Sequence, residues 1–541
     1  MNDNKNFLDP KMIGTLAIIG GFWVAWSYFM DAKYPQKETP KSAQTTTLSQ
    51  PKQTEATLAA AKPEAAKVGK PDSEVAQKSQ VVEKLLNYSS SEMSFQISSV
   101  GMGIKNIDIK KYKGRENQAI VLGQVDSELA FSTYALSGNQ ALNFNMSQTE
   151  ANSFRGSVQV GAVEITKSIK VHPETYSLEV EVEAKNLGEE FKGLITYLSD
   201  LLVNQKPSGF LSPPIEKQEV YFLHDDKQTR EALSSEKAFS VEEKNISLLS
   251  LDLHYFALAI AENSDVTPSL KIAIPEKASV ATTALIYSKP ALSNQMKIKF
   301  TGFAGPKAFD ILSGVDKRLG SVIDYGTFAV LARPLLGVMN FFNKLVHNYG
   351  LAIILLTLLV RVCVMPFNIY SFKSMKVMQK LQPEMKALRE KFKDDPATQN
   401  SKVMELMKTN KANPLGGCLP MLLQLPVFFA LYQTLGQSIE LYREPFIFWI
   451  HDLSFRDPFF VLPILMGITM FIQQKITPSN MDPQQAKIMM FMPIMFSFFM
   501  ISLPSGLTLY IFISTLFGIT QQYLFLREKT PNHTQVKQVQ A

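Results

Sequence analysis

Residues 351–367 read LAIILLTLLVRVCVMPF, an apolar run interrupted only by Thr357 and Arg361. A helix rises about 1.5 Å per residue, so this run, extended to 348–367, crosses a hydrocarbon core of about 30 Å. A guanidinium facing lipid at such depth costs about 2.5–3.5 kcal/mol, and something must compensate. Arg361 stands six residues before Phe367, about 9 Å from that end of the helix. Two readings fit: the side chain snorkels to the nearer headgroups, or it lines a water-accessible pocket on that side.

Outward from this run, further apolar segments at about 12–30, 417–436, 457–475, 487–503 and 505–526 are candidate spans. The mean hydropathy of the 541-residue chain is near zero because the polar residues 32–320 offset them. Between Asn368 and Asn413 there are ten Lys or Arg against five Asp or Glu, and short flanking loops rich in positive charge stay in the cytoplasm. The expected topology has six spans, both termini cytoplasmic and residues 32–347 periplasmic, with 437–456 and the Pro504-Ser505-Gly506 turn also outside. Lys475 and Lys487, and the tail residues Arg527, Lys529 and Lys537, fall on the inner side of that scheme. Trp23, Trp26 and Tyr28 lie toward the outer end of the first span, where amphipathic rings favour the interface. A cleaved signal peptide is the alternative for 12–30, but the run exceeds a usual h-region and no small-x-small site directly follows. Cys363 and Cys418 are the only cysteines, which suggests no disulfide framework and is too few for a structural zinc site.

The polar region divides in two. Residues 32–80 are rich in Lys, Ala, Pro, Thr and Gln and cannot bury enough surface to fold, so they read as a flexible linker after an anchor at 1–31. From 81 to 320 the hydrophobic period becomes two. Tyr176, Leu178, Val180 and Val182 alternate with Ser177, Glu179, Glu181 and Glu183, a strand with one wet face. Val158 to Ile165 and Lys271 to Ile274 read similarly, and no helix of comparable periodicity alternates with them, so an all-β sandwich is expected rather than an α/β sheet. Residues 321–541 form the expected helical membrane core.

Polar residues recur at matching depths in that core. Thr357 is one turn from Arg361 on the same face, Gln424 lies about 10 Å from the inner end of its own span, and Tyr510, Ser514 and Gln521 share a stripe of the last span. Each is an ordinary candidate for an interhelical hydrogen bond; with Arg361 they describe a polar groove. Phe372, Met375, Met378, Met385, Leu388 and Phe392 give the basic loop an amphipathic helix, bent at Pro383, and Asp395-Pro396 offers the cap of a second helix to about Thr409. The expectation is a cytoplasmic hairpin over 368–413, the alternative a solvated linker suited to anionic lipid. Fifteen of the 23 methionines fall between Met365 and Met500; such side chains repack against varied apolar partners, and they also fill any membrane core.

No phosphate loop, HExxH, CxxC or GxSxG between strand and helix occurs, and no nucleophile, cofactor motif or inverted repeat is evident. On the residues alone, a small-anion transporter using Arg361 as its binding charge, or a sugar-acting β domain, stays open.

The stretch Asn413-Pro414-Leu415-Gly416-Gly417-Cys418-Leu419-Pro420 with Gln424-Leu425-Pro426 closely resembles the third-span entrance of the YidC family of bacterial membrane insertases, which has mitochondrial and chloroplast relatives. Trp449-Ile450-His451-Asp452-Leu453, Leu462-Pro463-Ile464-Leu465-Met466-Gly467 and Pro504-Ser505-Gly506-Leu507 follow in family order. The resemblance implies a periplasmic β-supersandwich and a groove open to cytoplasm and lipid, with Arg361 as its charge, Thr357 and Gln424 as lining and Tyr510 toward substrate; Ser514 joins them by its spacing from Tyr510 alone. It implies nascent membrane proteins as substrates, contacts with the ribosome, the Sec translocon and anionic lipids, no specific nucleic-acid ligand, no cofactor and no enzymatic activity. Where relatives often carry two adjacent tyrosines in the last span, Tyr510 is followed by Ile511.

Overall fold

The computed structural model describes residues 83–114, 116–123, 129–202, 218–225, 227–233, 239–274, 280–410, 419–477 and 483–527. The expected first span, the linker 32–80 and the C-terminal tail charges Lys529 and Lys537 lie outside them.

Alternation of apolar and polar residues produces antiparallel strands throughout 85–306. In Ser177–Lys185, Leu178, Val180, Val182 and Ala184 are buried while Glu179 is exposed. That strand pairs on one side with Gln295–Pro306, Val180 opposite Phe300, and on the other with Val163–His172, Val180 opposite Ile169. It thereby sits inside a nine-stranded sheet, whose inner face shares one core with a six-stranded sheet and a four-stranded sheet. Val158 to Ile165 is not one strand but a hairpin: Val160 pairs with Val163 across a turn at Gly161, whose φ of +61° favours glycine. Periodicity cannot reveal that break, because a two-residue turn preserves the alternation on both sides.

Lys167 lies fully inside this core. Its Nζ donates to Gly101 O at 3.0 Å, Phe131 O at 2.6 Å and Thr133 Oγ1 at 3.1 Å, three acceptors for an ammonium's three N–H groups. It ties the nine-stranded sheet to segments from 101 and 131–133. Burial pushes its pKa down to about 7.

After the last strand the chain forms α1 (Phe309–Val315), then a connector pinned to the sheet. Arg230 holds Asp252 Oδ2 at 2.9 Å and donates to Ser321 O at 3.0 Å, while Tyr221 donates to Ser321 Oγ at 2.8 Å. Seven further helices follow: α2 (Ala329–Val346), α3 (Tyr349–Lys391), α4 (Pro396–Thr409), α5 (Leu419–Gln437), α6 (Val461–Ile476), α7 (Pro483–Met500) and α8 (Ser505–Arg527). Helix α2 was not foreseen at 321–347. It buries Ala332, Leu336 and Met339 and exposes Val330, Leu331, Phe341 and Leu345. His347, at φ 51°, ends it, and Asn348 caps α3 by accepting from Leu351 N at 3.0 Å.

Helix α3 does not end near 367. Its 43 residues run through Pro366 and Pro383 for about 65 Å, so its apolar half and the first arm of the hairpin are one rod. Asp395 caps α4 through Ala397 N and Thr398 N, both at 3.1 Å, with Pro396 at the first helical position. Met378, Leu381 and Met385 of α3 close on Val403, Leu406 and Met407 of α4; the remainder of the expected hairpin, 411–413, lies outside the described residues. Among the described residues one helix, α3, is long and apolar enough to cross a membrane, and Val461–Ile476 is a shorter apolar helix.

Removing the amine of Lys167 strands two buried carbonyls, so Lys167→Met is expected to destabilise the sheets by about 1–3 kcal/mol, read as a lower urea midpoint of the amide I strand band. In the wild type the folded state binds fewer protons than the unfolded one between about pH 7 and the usual lysine value near 10.5. Sheet stability is therefore expected to rise with pH across that window, and Lys167→Met to lack the rise.

Candidate functional site

Helices α3 and α8 cross with Arg361 and Ser514 facing each other. The guanidinium Nε donates to Ser514 Oγ at 2.9 Å and Nη2 to the same oxygen at 2.6 Å. Ser514 is buried, whereas Arg361 is part-exposed. A guanidinium carries five N–H groups, so three have no protein acceptor among the described residues. The counter-charge is missing by sequence: residues 349–383, 419–437, 461–476, 483–500 and 505–527 contain no Asp or Glu. Hydrogen bonds to a charged group contribute about 1.5–3 kcal/mol, comparable with the roughly 2.5–3.5 kcal/mol cost of an arginine in lipid. Both bonds fall on one neutral oxygen, so the charge itself is not neutralised.

One turn beyond Ser514, Gly518 faces the end of Gln473 of α6 closely and Arg361 at ordinary contact distance. A Cβ there would lie 3.1 Å from Gln473 Nε2 and 3.8 Å from Arg361 Nη1. One turn before Ser514, Tyr510 is buried, and Gln424 of α5 donates from Nε2 to its hydroxyl at 2.7 Å. The Tyr510 hydroxyl lies close to both Arg361 and Ser514. Thr357 is buried and donates to Ile353 O of its own helix at 2.6 Å. Arg361, Ser514, Tyr510 and Gln424 thus form one connected polar cluster, and Thr357 turns back to its backbone.

Toward the other end of the apolar rod the polar contacts continue. Asn368 Nδ2 donates to Gln521 Oε1 at 3.4 Å, and Gln522 Nε2 donates to Thr477 Oγ1 at 3.1 Å. Gln521 Nε2 is buried without a partner among the described residues. It borders a cleft of about 420 Å³ lined by Met365, Ile369, Phe517, Thr520, Leu524 and Phe525. Asn368, Gln473, Gly518 and Gln522 were missed as site residues. The spacing 514, 518, 522 on α8, and 361 to 368 on α3, was the available signal.

A polar seam thus runs between apolar helices that follow the β domain in the chain. Residues 341–533 match the family described as 60Kd inner membrane protein, and residues 88–338 match the YidC periplasmic domain. The membrane protein insertase YidC of Geotalea uraniireducens (strain Rf4) is 37% identical over 455 residues, covering 79% of this chain and 83% of the relative. That of Geobacter sp. (strain M21) is 38% identical over 454 residues, covering 79% and 82%. That of Geotalea daltonii is 52% identical over 241 residues, 44% of this chain and 45% of its own. The chain belongs to the YidC family of membrane protein insertases. It is an inner-membrane insertase and not an enzyme, which sets aside the anion transporter and the sugar-acting domain.

In a double-mutant cycle of Ser514→Ala with Arg361→Met, followed as unfolding of the full chain in detergent, the pair is expected to show a coupling of roughly 1 kcal/mol, within the range for polar contacts between membrane helices. Additive effects would show that the two bonds contribute nothing between the helices.

Proposed function

We propose that the polar seam between α3 and α8 is a hydrated groove in which Arg361 transiently attracts acidic groups of a substrate's polar tail while the substrate's apolar span passes into lipid. The observation that carries this reading is the Arg361 guanidinium, bonded only to Ser514 among the described residues, in apolar stretches (349–383 and 505–527) that hold no Asp or Glu. A charge in that position is tolerable only if water or an incoming anion reaches it. Gln424, Tyr510 and Ser514 form the groove's hydrogen-bonding wall, and Thr357 packs behind Arg361. Burial of an apolar segment of about 20 residues supplies many kcal/mol, so no nucleotide is needed. A membrane potential adds about 2.3 kcal/mol per charge per 100 mV, for or against according to the tail's charge.

The same reading sets the topology: six spans with the first at 12–30, both ends in the cytoplasm, and the arm of α3 with α4 as a cytoplasmic hairpin. The excess of Lys and Arg in 368–413 supports that orientation. The hairpin's basic surface suits a ribosome and anionic headgroups, and its hydrophobic seam gives it a fixed shape. Work beside the Sec translocon is part of the proposal, since the family resemblance implies it.

The test is insertion into proteoliposomes of one substrate whose translocated tail carries no, one or two Asp residues. Arg361→Ala is expected to impair the two-Asp tail most and to spare the uncharged one, and Arg361→Lys to retain most activity, because charge rather than the bidentate fork is used. Equal loss on all three tails, or none, would contradict electrostatic attraction and leave hydration alone as the groove's contribution.

A further inference from the structure

The β domain is clamped to the helices at the turn Ile439–Leu441, just past α5. The Tyr442 ring packs among Tyr255, Phe256 and Tyr112, with centroids 4.9, 5.9 and 6.3 Å away. Arg443 donates from Nη1 to Gly114 O and from Nη2 to Asn117 Oδ1, both at 2.8 Å, and His254 Nε2 lies 2.8 Å from Gly436 O. In the middle of this clamp stands Glu440, largely withdrawn from solvent.

The groups that face Glu440 offer it no cation. Asp310 approaches from α1, Tyr112 from the strand Ile104–Lys113, Tyr325 from the connector and Tyr349 from the first turn of α3. Arg333 of α2 faces Tyr325. Glu444 on the same loop also faces Tyr112 and Tyr349, but has Lys111 opposite it. No ion pair to Glu440 exists among the described residues. An ionised carboxylate here meets one like charge and three aromatic hydroxyls; a protonated one meets no repulsion.

We propose that Glu440 makes this junction a proton-responsive latch: with its carboxyl protonated the β domain stays clamped to the helices, and with it ionised the clamp loosens. Burial, with Asp310 adding to it, raises Glu440 to about 7 from an ordinary 4.5. The clamped state therefore holds a proton that the loosened state releases, and the clamp weakens as pH climbs from about 4.5 to about 7. Tyr349 begins the rod that carries Arg361, so the latch acts on the outer end of the groove helix.

Hydrogen exchange of the full chain in detergent micelles tests this, with wild type and Glu440→Gln compared at the same pH so that intrinsic exchange rates cancel. At pH 4, below both the loosened and the clamped carboxyl values, the two are expected to match across 110–118 and 439–446. At pH 8 the wild type is expected to exchange there about ten-fold faster than Glu440→Gln. Glu444→Gln should keep the step at pH 8 because Glu440 is untouched; burial raises Glu444 as well, and Lys111 only partly opposes it. Equal exchange of wild type and Glu440→Gln at pH 8 overturns the latch, as does a pH step retained in Glu440→Gln. If Glu440→Gln does not accumulate, the wild type alone decides. Relative to α4, its junction must lose protection between pH 4 and 8, and a constant ratio refutes the proposal.

Discussion

An arginine without a counter-carboxylate, set among apolar helices, is the constraint on which the rest of the helical core depends. No acid pairs with the charge, because residues 349–383, 419–437, 461–476, 483–500 and 505–527 contain no Asp or Glu. It is therefore held by geometry. Ser514 supplies the acceptor, Gly518 faces the end of Gln473 of α6, and the Tyr510–Gln424 bond brings in α5. Each is a small polar or small-volume choice within an otherwise lipid-like surface, and together they leave three guanidinium N–H groups for water or substrate. On the proposed reading, a resident carboxylate would compete with an incoming one.

Helix α3 extends that constraint over the molecule. Its first turn meets the loop that grips the β domain, its middle carries Arg361, and its far end packs as half of a hairpin against α4. The β domain is fixed at its own end by Tyr221 and Arg230, which bind the connector after α1, with the buried Asp252 holding Arg230 in place.

Much of this was legible before any coordinates. Arg361 declared itself by cost, Tyr510 and Ser514 by their four-residue spacing, and the strand at Tyr176 to Glu183 by strict alternation. Asp395-Pro396 was readable as a cap because side-chain capping is local. What escaped was non-local or two-sided. Helix α2 was overlooked although Arg333, Asn340 and Lys344 recur on one face at helical spacing, because apolar residues such as Val330, Phe341 and Leu345 are exposed as well. Gly518 matters only through what a neighbouring helix brings against it, and Lys167 looks like any surface lysine until the sheets close over it. Thr357 was grouped with Arg361 on helical spacing, yet the i−4 carbonyl was the nearer acceptor.

The central claim is that water reaches Arg361 and Ser514. It is tested most directly by the rate at which a small, charged, membrane-impermeant methanethiosulfonate modifies Ser514→Cys in vesicles, with Cys363 and Cys418 replaced by serine. Val362→Cys, beside Arg361 but on the exposed face of α3, is the control at equal depth. A hydrated groove predicts that Ser514→Cys reacts, that Val362→Cys does not, and that adding Arg361→Ala slows the reaction of an anionic reagent. Equal protection of both positions would contradict it and make Arg361 a snorkelling residue in a dry helix pair.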